Sequence, residues 1–473
     1  MKVTITTAGI RDVETDASTN PNIQTHIRRS NRHIGETLEG QGRILQGWDT
    51  EKLQLRLAKS TPYEDRKRLQ LERIRILVDS AFSTTGFYQE LYRGVGYEPG
   101  AIESWSDFHA LPIVNKQMMV DAGFSQRVSE FNDGHVLHSA RTSGSSGLNL
   151  TIFQDDASVD YRHLLYMRHC ELMLKDELKS EDWRYGIYYV AERFTSLLGG
   201  YPFVTVSQDC PTEILVQHLK ELRPRIIFSF PSYLQRLLQR GVSLAEFGVE
   251  VIVTNSERSS LEERLTYSAA FGVPVLDEYS SEEMSLIAYE CHCRRYHLVE
   301  DSGYFEVTNA DEEGFGRLIG TSFGNTCMPF IRYEQGDVLK MGDTTSQCEC
   351  GSQFRTIEAF RGREDESLHD GLVGLIHADA VLGLCDRTLV EVESNVRQYQ
   401  IVQTYEDRIV LRVSLIDPTR GTNNRLILEF IQSLQCMFKN VSMKVQIEKV
   451  AEFTTFASGK RRLIYVEGTG VSS

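Results

Sequence analysis

The sequence predicts a large α/β domain followed by a small α+β domain, because two stretches carry different hydrophobic patterns. Between about residues 185 and 280, short β-rich runs alternate with helical segments, which is typical of a parallel sheet with helices between its strands. From residue 399 onward, two alternating runs, a helical pattern and a third alternating run indicate a small unit with an antiparallel sheet. The length of 473 residues also exceeds what one ordinary core accommodates.

The predicted elements of the α/β part are buried runs separated by amphipathic segments. The strands are 187–190, 225–230, 251–254 and 273–276, and the helices are 233–240 and 261–270. Sheets of this kind bind ligands beyond the carboxyl ends of their strands, so we expect the functional site there.

The chain is predicted to divide at two places. Residues 1–64 form a polar N-terminal arm, rich in Arg and Gln, that we expect to contain helix. Residues 65–360 form the large domain and residues 361–473 the small one. A charged, glycine-flanked stretch at 362–374 marks the linker between them.

Composition and charge disfavour several classes of protein. The net charge of −15, from 51 basic and 66 acidic residues, has the opposite sign to that of a general nucleic-acid binder. No run of about 18 apolar residues predicts a membrane span, and the polar N-terminus lacks the apolar core of a signal peptide. We therefore expect a cytoplasmic protein with no membrane or nucleic-acid partner. Its oligomeric state stays open, with a homodimer as one candidate.

The clearest local motif is a hydroxyl- and glycine-rich segment that follows Arg141. Its residues are Thr142, Ser143, Gly144, Ser145, Ser146 and Gly147. Glycines allow backbone N–H groups to approach phosphate oxygens, and the hydroxyls add donors, so the segment suits phosphate binding. It lacks the lysine of a P-loop, and a plain Ser/Gly linker would have the same composition.

Four further motifs follow in chain order. They are Tyr279-Ser280-Ser281-Glu282-Glu283, the stretch from Pro329 to Asp337, Arg361-Gly362-Arg363-Glu364-Asp365-Glu366, and Ser458-Gly459-Lys460. With the hydroxyl-rich segment, their order and spacing resemble the superfamily of acyl-CoA synthetases, nonribosomal-peptide adenylation domains and luciferases. Within it the chain is most similar to the phenylacetate-CoA ligase family, from about residue 65 to the C-terminus.

The resemblance implies an α/β adenylate-forming domain joined by a hinge at Asp365 to the small C-terminal domain. The hydroxyl-rich segment would hold ATP phosphates, although Leu148 and Asn149 stand where the family commonly has Lys-Pro, so one phosphate-facing charge is missing. Asp337 would accept hydrogen bonds from both ribose hydroxyls, as a carboxylate can from a vicinal diol. Lys460 matches the catalytic lysine, whose charge would stabilise the carboxylate and the α-phosphate in the transition state.

Glu283 matches the family's Mg²⁺-binding glutamate, since a cation that bridges phosphate oxygens prefers carboxylate ligands. Tyr279, Ser280 and Arg363 would complete the nucleotide site. Ser280 and Glu282 depart from the usual pattern, which has glycine after the tyrosine and Ser or Thr before the glutamate. A solvated acidic loop is therefore the alternative interpretation.

The acyl pocket is expected beside residues 231–233, which resemble a Pro-Ser-Tyr segment of the family. Its lining would include Tyr233, Asn255, Tyr279 and Ser280, which suggests a compact aromatic or polar acid.

Two cysteine pairs form a separate constellation. Cys291 and Cys293 precede His297, and Cys348 and Cys350 follow further along the chain. Two thiol pairs and an imidazole can close a tetrahedral Zn²⁺ site, which would be structural because no position stays open for catalysis. The resemblance implies the ligands Cys291, His297, Cys348 and Cys350, with Cys293 as an alternative. Reduced surface cysteines are the other interpretation.

The implied reaction is ATP-dependent activation of a carboxylic acid to an acyl-adenylate with release of pyrophosphate. Acyl transfer to a thiol follows, with coenzyme A as the leading candidate, and adenylation makes AMP the leaving group. An amine or a carrier protein as acceptor stays open. A catalytically degenerate nucleotide-binding protein is the alternative from another class. The missing Lys-Pro favours it, whereas Asp337 and Lys460 argue against it because such a protein needs neither.

Overall fold

Helices occur along the whole described part of the chain. The computed structural model describes residues 38–132, 137–141, 150–188, 193–208, 210–238, 241–343, 348–363, 366–372, 374–389, 394–405, 408–422, 424–439, 443–450, 453 and 462–467. The helices are α1 (Leu38–Ser60), α2 (Tyr63–Thr84), α3 (Gly86–Arg93), α4 (Trp105–Ala110), α5 (Lys116–Asp121), α6 (Phe124–Arg127), α7 (Asp156–Leu174), α8 (Thr212–Leu222), α9 (Pro231–Leu238), α10 (Leu261–Phe271), α11 (Ala378–Thr388) and α12 (Arg425–Met437). Within the described ranges, no helix is both long and apolar enough to span a membrane.

The strands form one large mixed sheet and three smaller sheets in the part of the chain that the structure describes. The strands are β1 (His138–Arg141), β2 (Thr151–Gln154), β3 (Arg184–Tyr188), β4 (Arg193–Leu197), β5 (Gly200–Ser207), β6 (Ile226–Ser229), β7 (Val251–Thr254), β8 (Val275–Ser281), β9 (Ser285–Glu290), β10 (Tyr296–Leu298), β11 (Gly303–Thr308), β12 (Gly316–Ser322), β13 (Tyr333–Met341), β14 (Thr356–Arg363), β15 (Leu368–Asp370), β16 (Gly374–Ile376), β17 (Val396–Tyr405), β18 (Arg408–Leu415), β19 (Lys444–Lys449) and β20 (Ile464–Val466).

One half of the large sheet is parallel. β5, β3, β6, β7 and β8 lie side by side in the same direction, with β4 antiparallel at the edge. β6 and β7 are buried along their whole length, as expected of strands covered by helices on both faces. The α/β pattern that the sequence predicts for residues 185–280 is therefore confirmed.

The other half is antiparallel and starts at β8. This strand continues past the predicted end at residue 276, and beyond its pairing with β7 it pairs antiparallel with β9. The order then runs β9, β10, β14, β13, β12, β11. The predicted strand was too short because its last residues, which line a cleft, do not read as an apolar run.

The C-terminal sheet differs from the prediction in strand direction. β17 and β18 form the expected antiparallel hairpin, but β19 runs parallel to β18 and β20 runs parallel to β17. The antiparallel sheet predicted for this region is thus wrong for its two outer strands. α12 lies between β18 and β19 in the chain, and a helical crossover returns the chain to the same end of the sheet, which makes the two strands parallel.

The predicted linker and N-terminal arm are structured where they are described. β14 extends through residue 360 to Arg363. β15 lies within the 362–374 stretch and pairs with β16, which begins at the last residue of that stretch. In the arm, α1 packs on the large sheet's helices through Ile44, Trp48 and Leu55, which belong to the same buried cluster as α7.

Buried and exposed ion pairs both join α1 to the body. Arg168 of α7, with 3% of its side chain exposed, donates hydrogen bonds to Glu51 of α1 and to Asp301. Arg43 of α1 pairs with Asp160 of α7 at 2.9 Å, with 44% of the arginine side chain exposed. Because exposed pairs contribute little, we expect the buried pair to dominate the docking of α1.

We predict that Arg168→Met lowers the free energy of unfolding by about 3–5 kcal/mol, because it leaves the buried Glu51 and the partly buried Asp301 without their cation. The matched control, Arg43→Met, should cost less than about 1 kcal/mol. Urea denaturation of both variants measures the difference. Equal losses would show that burial of Arg168 does not matter.

Candidate active site

The main cleft lies beyond the carboxyl ends of the parallel strands. It encloses about 1350 Å³, and its lining includes residues from the ends of β3, β6, β7 and β8. β13 and β14 supply a second wall, and residues of α11, β17 and β20 supply a third. The position agrees with the expectation for a sheet with parallel strands.

Three of the residues predicted to bind nucleotide, Tyr279, Asp337 and Arg363, meet on one wall of this cleft. Antiparallel pairing of β13 with β14 sets Asp337 opposite Arg363, and Arg363 Nη1 lies 3.5 Å from Asp337 Oδ1. Arg363 also donates a hydrogen bond to the carbonyl oxygen of Gln335 at 3.3 Å. Gly336, between Gln335 and Asp337 in the chain, has a φ of +80°. A Cβ there would lie 3.0 Å from the Arg363 guanidinium, so glycine allows Arg363 to approach the backbone closely.

Tyr279 connects a third strand, β8, to Asp337. Its hydroxyl donates a hydrogen bond to Asp337 Oδ2, and its ring packs edge-on against Phe360 of β14, with centroids 5.2 Å apart. Burial, with a further contribution from the Asp337 carboxylate, raises the pKa of Tyr279 well above its ordinary value. The tyrosine therefore stays protonated and orients the Asp337 carboxylate.

Two adjacent glutamates follow β8 and contact different partners. Glu282 accepts a hydrogen bond from Arg162 of α7 at 2.8 Å. Glu283 accepts one from the hydroxyl of Tyr333 at 3.1 Å. Burial raises the pKa of Glu283, and Lys116 at the start of α5 acts in the opposite direction. Glu283 is thus a partly buried carboxylate on the cleft wall, next to positive charge.

The predicted acyl-pocket residues do not all line the cleft. Asn255 and Ser280 do, whereas Tyr233 is 2% exposed and belongs to a buried hydrophobic cluster. Its neighbours Pro231 and Ser232 line the cleft instead. The assignment of Tyr233 to the pocket is therefore corrected. α9 begins at Pro231, and the helical turn that exposes the first two residues directs the third into the core.

Three of the predicted features fall outside the described residues. They are the hydroxyl-rich segment Thr142–Gly147 as a whole, the hinge residue Asp365 and the catalytic candidate Lys460. Residues close to two of them in the sequence are described. Arg462 and Glu366 both line the cleft, and Arg462 Nε lies 3.9 Å from Glu366 Oε1.

The cysteine cluster lies away from the cleft lining. Sγ of Cys291, Cys348 and Cys350 and a ring nitrogen of His297 all lie within 4.8 Å of one another. The Sγ atoms of Cys291 and Cys348 are 3.7 Å apart, close to the roughly 3.8 Å between two thiolates on a tetrahedral zinc ion. Cys350 Sγ is 3.3 Å from His297 Nε2. Cys293 is exposed and is not one of these four residues, although its thiol interacts with Cys291 and Cys348.

The surroundings of the cluster also suit a metal. His297 Nδ1 donates a hydrogen bond to the carbonyl of Phe354 at 3.1 Å, which leaves Nε2 as the ligand atom. Cys291 and Cys348 each begin a tight turn, closed by Arg294 N and Gly351 N respectively. Cysteines in two such turns, with an oriented histidine, are the donor set that structural zinc requires.

The sequence reasoning missed several charged residues of the cleft. Lys116 and Arg162 lie far from every motif in the chain, so only the fold brings them to the glutamates. Asp277 and Glu278 directly precede Tyr279 and could have been found by extending that motif. Burial raises the pKa of Asp277 to about 6, and the carboxylate accepts a hydrogen bond from Tyr296 at 2.8 Å.

The fold is shared with adenylate-forming ligases of known structure. 2-Hydroxyisobutyryl-CoA ligase, solved in a postadenylation state in complex with 2-HIB-AMP, superposes with a TM-score of 0.68. The two are 19% identical over 87% of this chain and 92% of that one. GH3.15 acyl acid amido synthetase superposes with a TM-score of 0.54 at 13% identity, over 84% of this chain and 88% of its own.

Two named proteins are similar to this chain in sequence. Phenylacetate-coenzyme A ligase of Thermus thermophilus is 25% identical over 387 residues, which cover 76% of this chain and 84% of the relative. The ligase of the same name from Pseudomonas putida is 23% identical over 329 residues, or 63% of this chain and 71% of the relative. No family profile matches the chain. The relatives confirm the resemblance to phenylacetate-CoA ligases that the motifs indicate.

Proposed function

We propose that this protein is an AMP-forming carboxylate ligase. It activates a carboxylic acid with ATP to an acyl-adenylate and transfers the acyl group to the thiol of coenzyme A. The observation that carries the proposal is the cluster of Tyr279, Asp337 and Arg363 on the cleft wall, with Glu283 lining the same cleft. Similarity to three relatives named phenylacetate-coenzyme A ligase supports it.

Asp337 is proposed to accept hydrogen bonds from the ribose hydroxyls of ATP. Tyr279 and Arg363 already hold its carboxylate, so the acceptor is oriented before the nucleotide binds, which reduces the entropy lost on binding. The hydroxyl-rich segment Thr142–Gly147 would contact the β- and γ-phosphates. Ser280, exposed at the end of β8, would lie on the α-phosphate side of the nucleotide.

Glu283 is proposed to hold Mg²⁺, which would supply positive charge against the ATP phosphates. The site fits a cation, because the Glu283 carboxylate lines the cleft, and a cation there would favour the charged form that burial disfavours. Lys116, on the same cleft wall, would add a second positive charge.

The domain organisation is proposed to follow the family, with residues 65–360 as the large domain and 361–473 as the small one. In support, the C-terminal sheet has its own buried cluster. Rotation at Asp365 would carry Lys460 to and from the cleft. Arg462, two residues later in the sequence, lines that cleft. The packing of α1 on the body favours counting residues 38–64 with the large domain.

The acceptor of the acyl group is proposed to be the thiol of coenzyme A. The named relatives favour coenzyme A, whereas the acyl acid amido synthetase shows that the same fold occurs in an amide-forming enzyme. The acid is proposed to be aromatic, because aromatic side chains contribute to the cleft near Asn255.

We also propose that Cys291, His297, Cys348 and Cys350 bind one structural zinc ion. The cluster borders the buried core that α1 covers, and Gln353, just after Cys350, donates its backbone N–H to Lys59 O of α1 at 2.8 Å. The metal would thereby hold the loop against which the N-terminal helices pack.

Pyrophosphate exchange and AMP release test the proposed ligase reaction directly. Acid-dependent exchange of pyrophosphate into ATP should occur with a panel of aromatic acids, and AMP release should depend on coenzyme A rather than on amines. Lys460→Ala should lower exchange by about 10²–10³-fold. It should spare thioester formation from a supplied acyl-adenylate, because thiol attack needs no charge between carboxylate and α-phosphate. Equal losses in both half-reactions would contradict the assigned role of Lys460.

A second prediction concerns the ribose contact. Asp337→Ala should weaken ATP binding by about 10–150-fold, since a hydrogen bond to a charged group contributes about 1.5–3 kcal/mol. Glu358→Gln is the control, because it changes a carboxylate of β14 that pairs with Lys340 on the outside of the same two strands. Isothermal titration with ATP compares them. Unchanged affinity in Asp337→Ala would refute the ribose role.

The third prediction is that the purified protein contains about one zinc ion per chain. Cys348→Ser should abolish it and lower the thermal midpoint, since structural zinc contributes folding free energy directly. Cys293→Ser should keep the metal, because that thiol is exposed and outside the cluster. Elemental analysis under reducing conditions measures the stoichiometry. A metal-free wild-type protein would contradict the proposal.

A further inference from the structure

One end of the cleft combines aromatic side chains with buried acceptors that the proposed nucleotide site does not use. Tyr188 at the end of β3 and Phe230 after β6 pack edge-to-face there, with ring centroids 5.7 Å apart. Asn255, directly after β7, lies with its Nδ2 3.5 Å from the Tyr188 hydroxyl. The ends of three neighbouring parallel strands thus bring two aromatic rings and one amide to the same corner of the cleft.

A buried carboxylate completes this corner. Glu278 of β8 lines the cleft although only 6% of it is exposed. Its Oε1 accepts a hydrogen bond from the hydroxyl of Ser280 at 3.1 Å, and its Oε2 lies 3.0 Å from Nδ1 of His169. His169 is itself 1% exposed. Burial of a carboxylate is costly unless partners compensate it, and Ser280 and His169 are the partners that Glu278 has here.

Asn255 supplies an independent observation. Its side chain is 4% exposed, and its Oδ1 has no hydrogen-bond partner among the described residues. An unpaired buried acceptor costs free energy, which a donor on a bound molecule would recover. Asn255 therefore has an unused acceptor, and Glu278 lines the same cleft.

We infer that this corner binds the ring of an aromatic carboxylic acid that carries a hydrogen-bond-donating substituent, a hydroxyl or an amino group, and that Glu278 and Asn255 accept from it. The inference rests on the proposed function and narrows its substrate class. An unsubstituted ring would leave Asn255 Oδ1 without a donor, and a site built for a hydroxyl rejects the analogue that lacks it.

The test compares acids that differ only in the substituent. Phenylacetate and benzoate, with their hydroxy, amino and methyl derivatives at each ring position, are assayed by pyrophosphate exchange. We expect kcat/KM for at least one hydroxy or amino acid to exceed that of the unsubstituted and methyl analogues by about 10-fold or more. Equal rates, or a preference for the methyl analogue, would overturn the inference.

Variants of Glu278 identify the acceptor. Glu278→Leu should lower the preference by about 10-fold, and Glu278→Gln, which keeps one carbonyl oxygen and the volume, should lower it by less. Glu250→Gln is the control, since that glutamate pairs with Arg225 outside the cleft lining. If Glu278→Leu does not fold, the test is whether Glu278→Gln lowers the preference for the donor-substituted acid by its smaller expected amount. An unchanged ratio in the folded variant overturns the role of Glu278.

The two proposals fail in different ways. Exchange with several acids but without preference contradicts the pocket and leaves the ligase activity intact. Absence of exchange with every acid contradicts the proposed function. In that case, isothermal titration of the same acids in the presence of a non-hydrolysable ATP analogue still tests the preference for a donor substituent, because binding requires no turnover.

Discussion

The change of strand pairing along β8 is the constraint on which the candidate site depends. The first residues of β8 pair parallel with β7, and its last residues pair antiparallel with β9. A parallel half, whose strand ends open into a cleft, is thereby joined to an antiparallel half that supplies β13 and β14. Tyr279 lies where the two meet and contacts Asp337 across the cleft wall. The wall is therefore assembled from strands that are distant in sequence.

A buried salt-bridge network holds β8 in this position. Glu290 at the end of β9, fully buried, pairs with Arg264 of α10 at 2.9 Å and accepts a hydrogen bond from the backbone of Asp277 at 3.0 Å. Such a pair adds little net stability over an apolar core, but removal of either partner leaves an uncompensated buried charge. It links the helix behind the sheet to the strand that carries the site.

Similar clusters anchor the N-terminal helices far from the cleft. Glu300, fully buried, pairs with Arg66 of α2 at 2.9 Å and with Arg355 at 2.6 Å. Arg66 also donates to the carbonyl of Gln353, in the loop that follows the cysteine cluster. The cysteine loop, α2 and the antiparallel half of the sheet thus share partners. A metal at the cysteines would act on the packing of this region rather than on the chemistry of the cleft.

Hydrophobic periodicity in the sequence was sufficient to predict the α/β region and the C-terminal hairpin and helix, because these depend on local patterns. The spacing of the motifs was sufficient to predict the grouping of Tyr279, Asp337 and Arg363, because the resemblance is carried by contiguous residues. The four predicted zinc ligands also lie together in the structure. Three features could not be predicted: the directions of β19 and β20, the burial of Tyr233, and the approach of Lys116 and Arg162 to the cleft. Each is set by contacts between segments far apart in the chain. A helical crossover decides strand direction, the orientation of α9 on the sheet decides which of its residues face the cleft, and packing of α5 and α7 decides which charges meet the glutamates after β8.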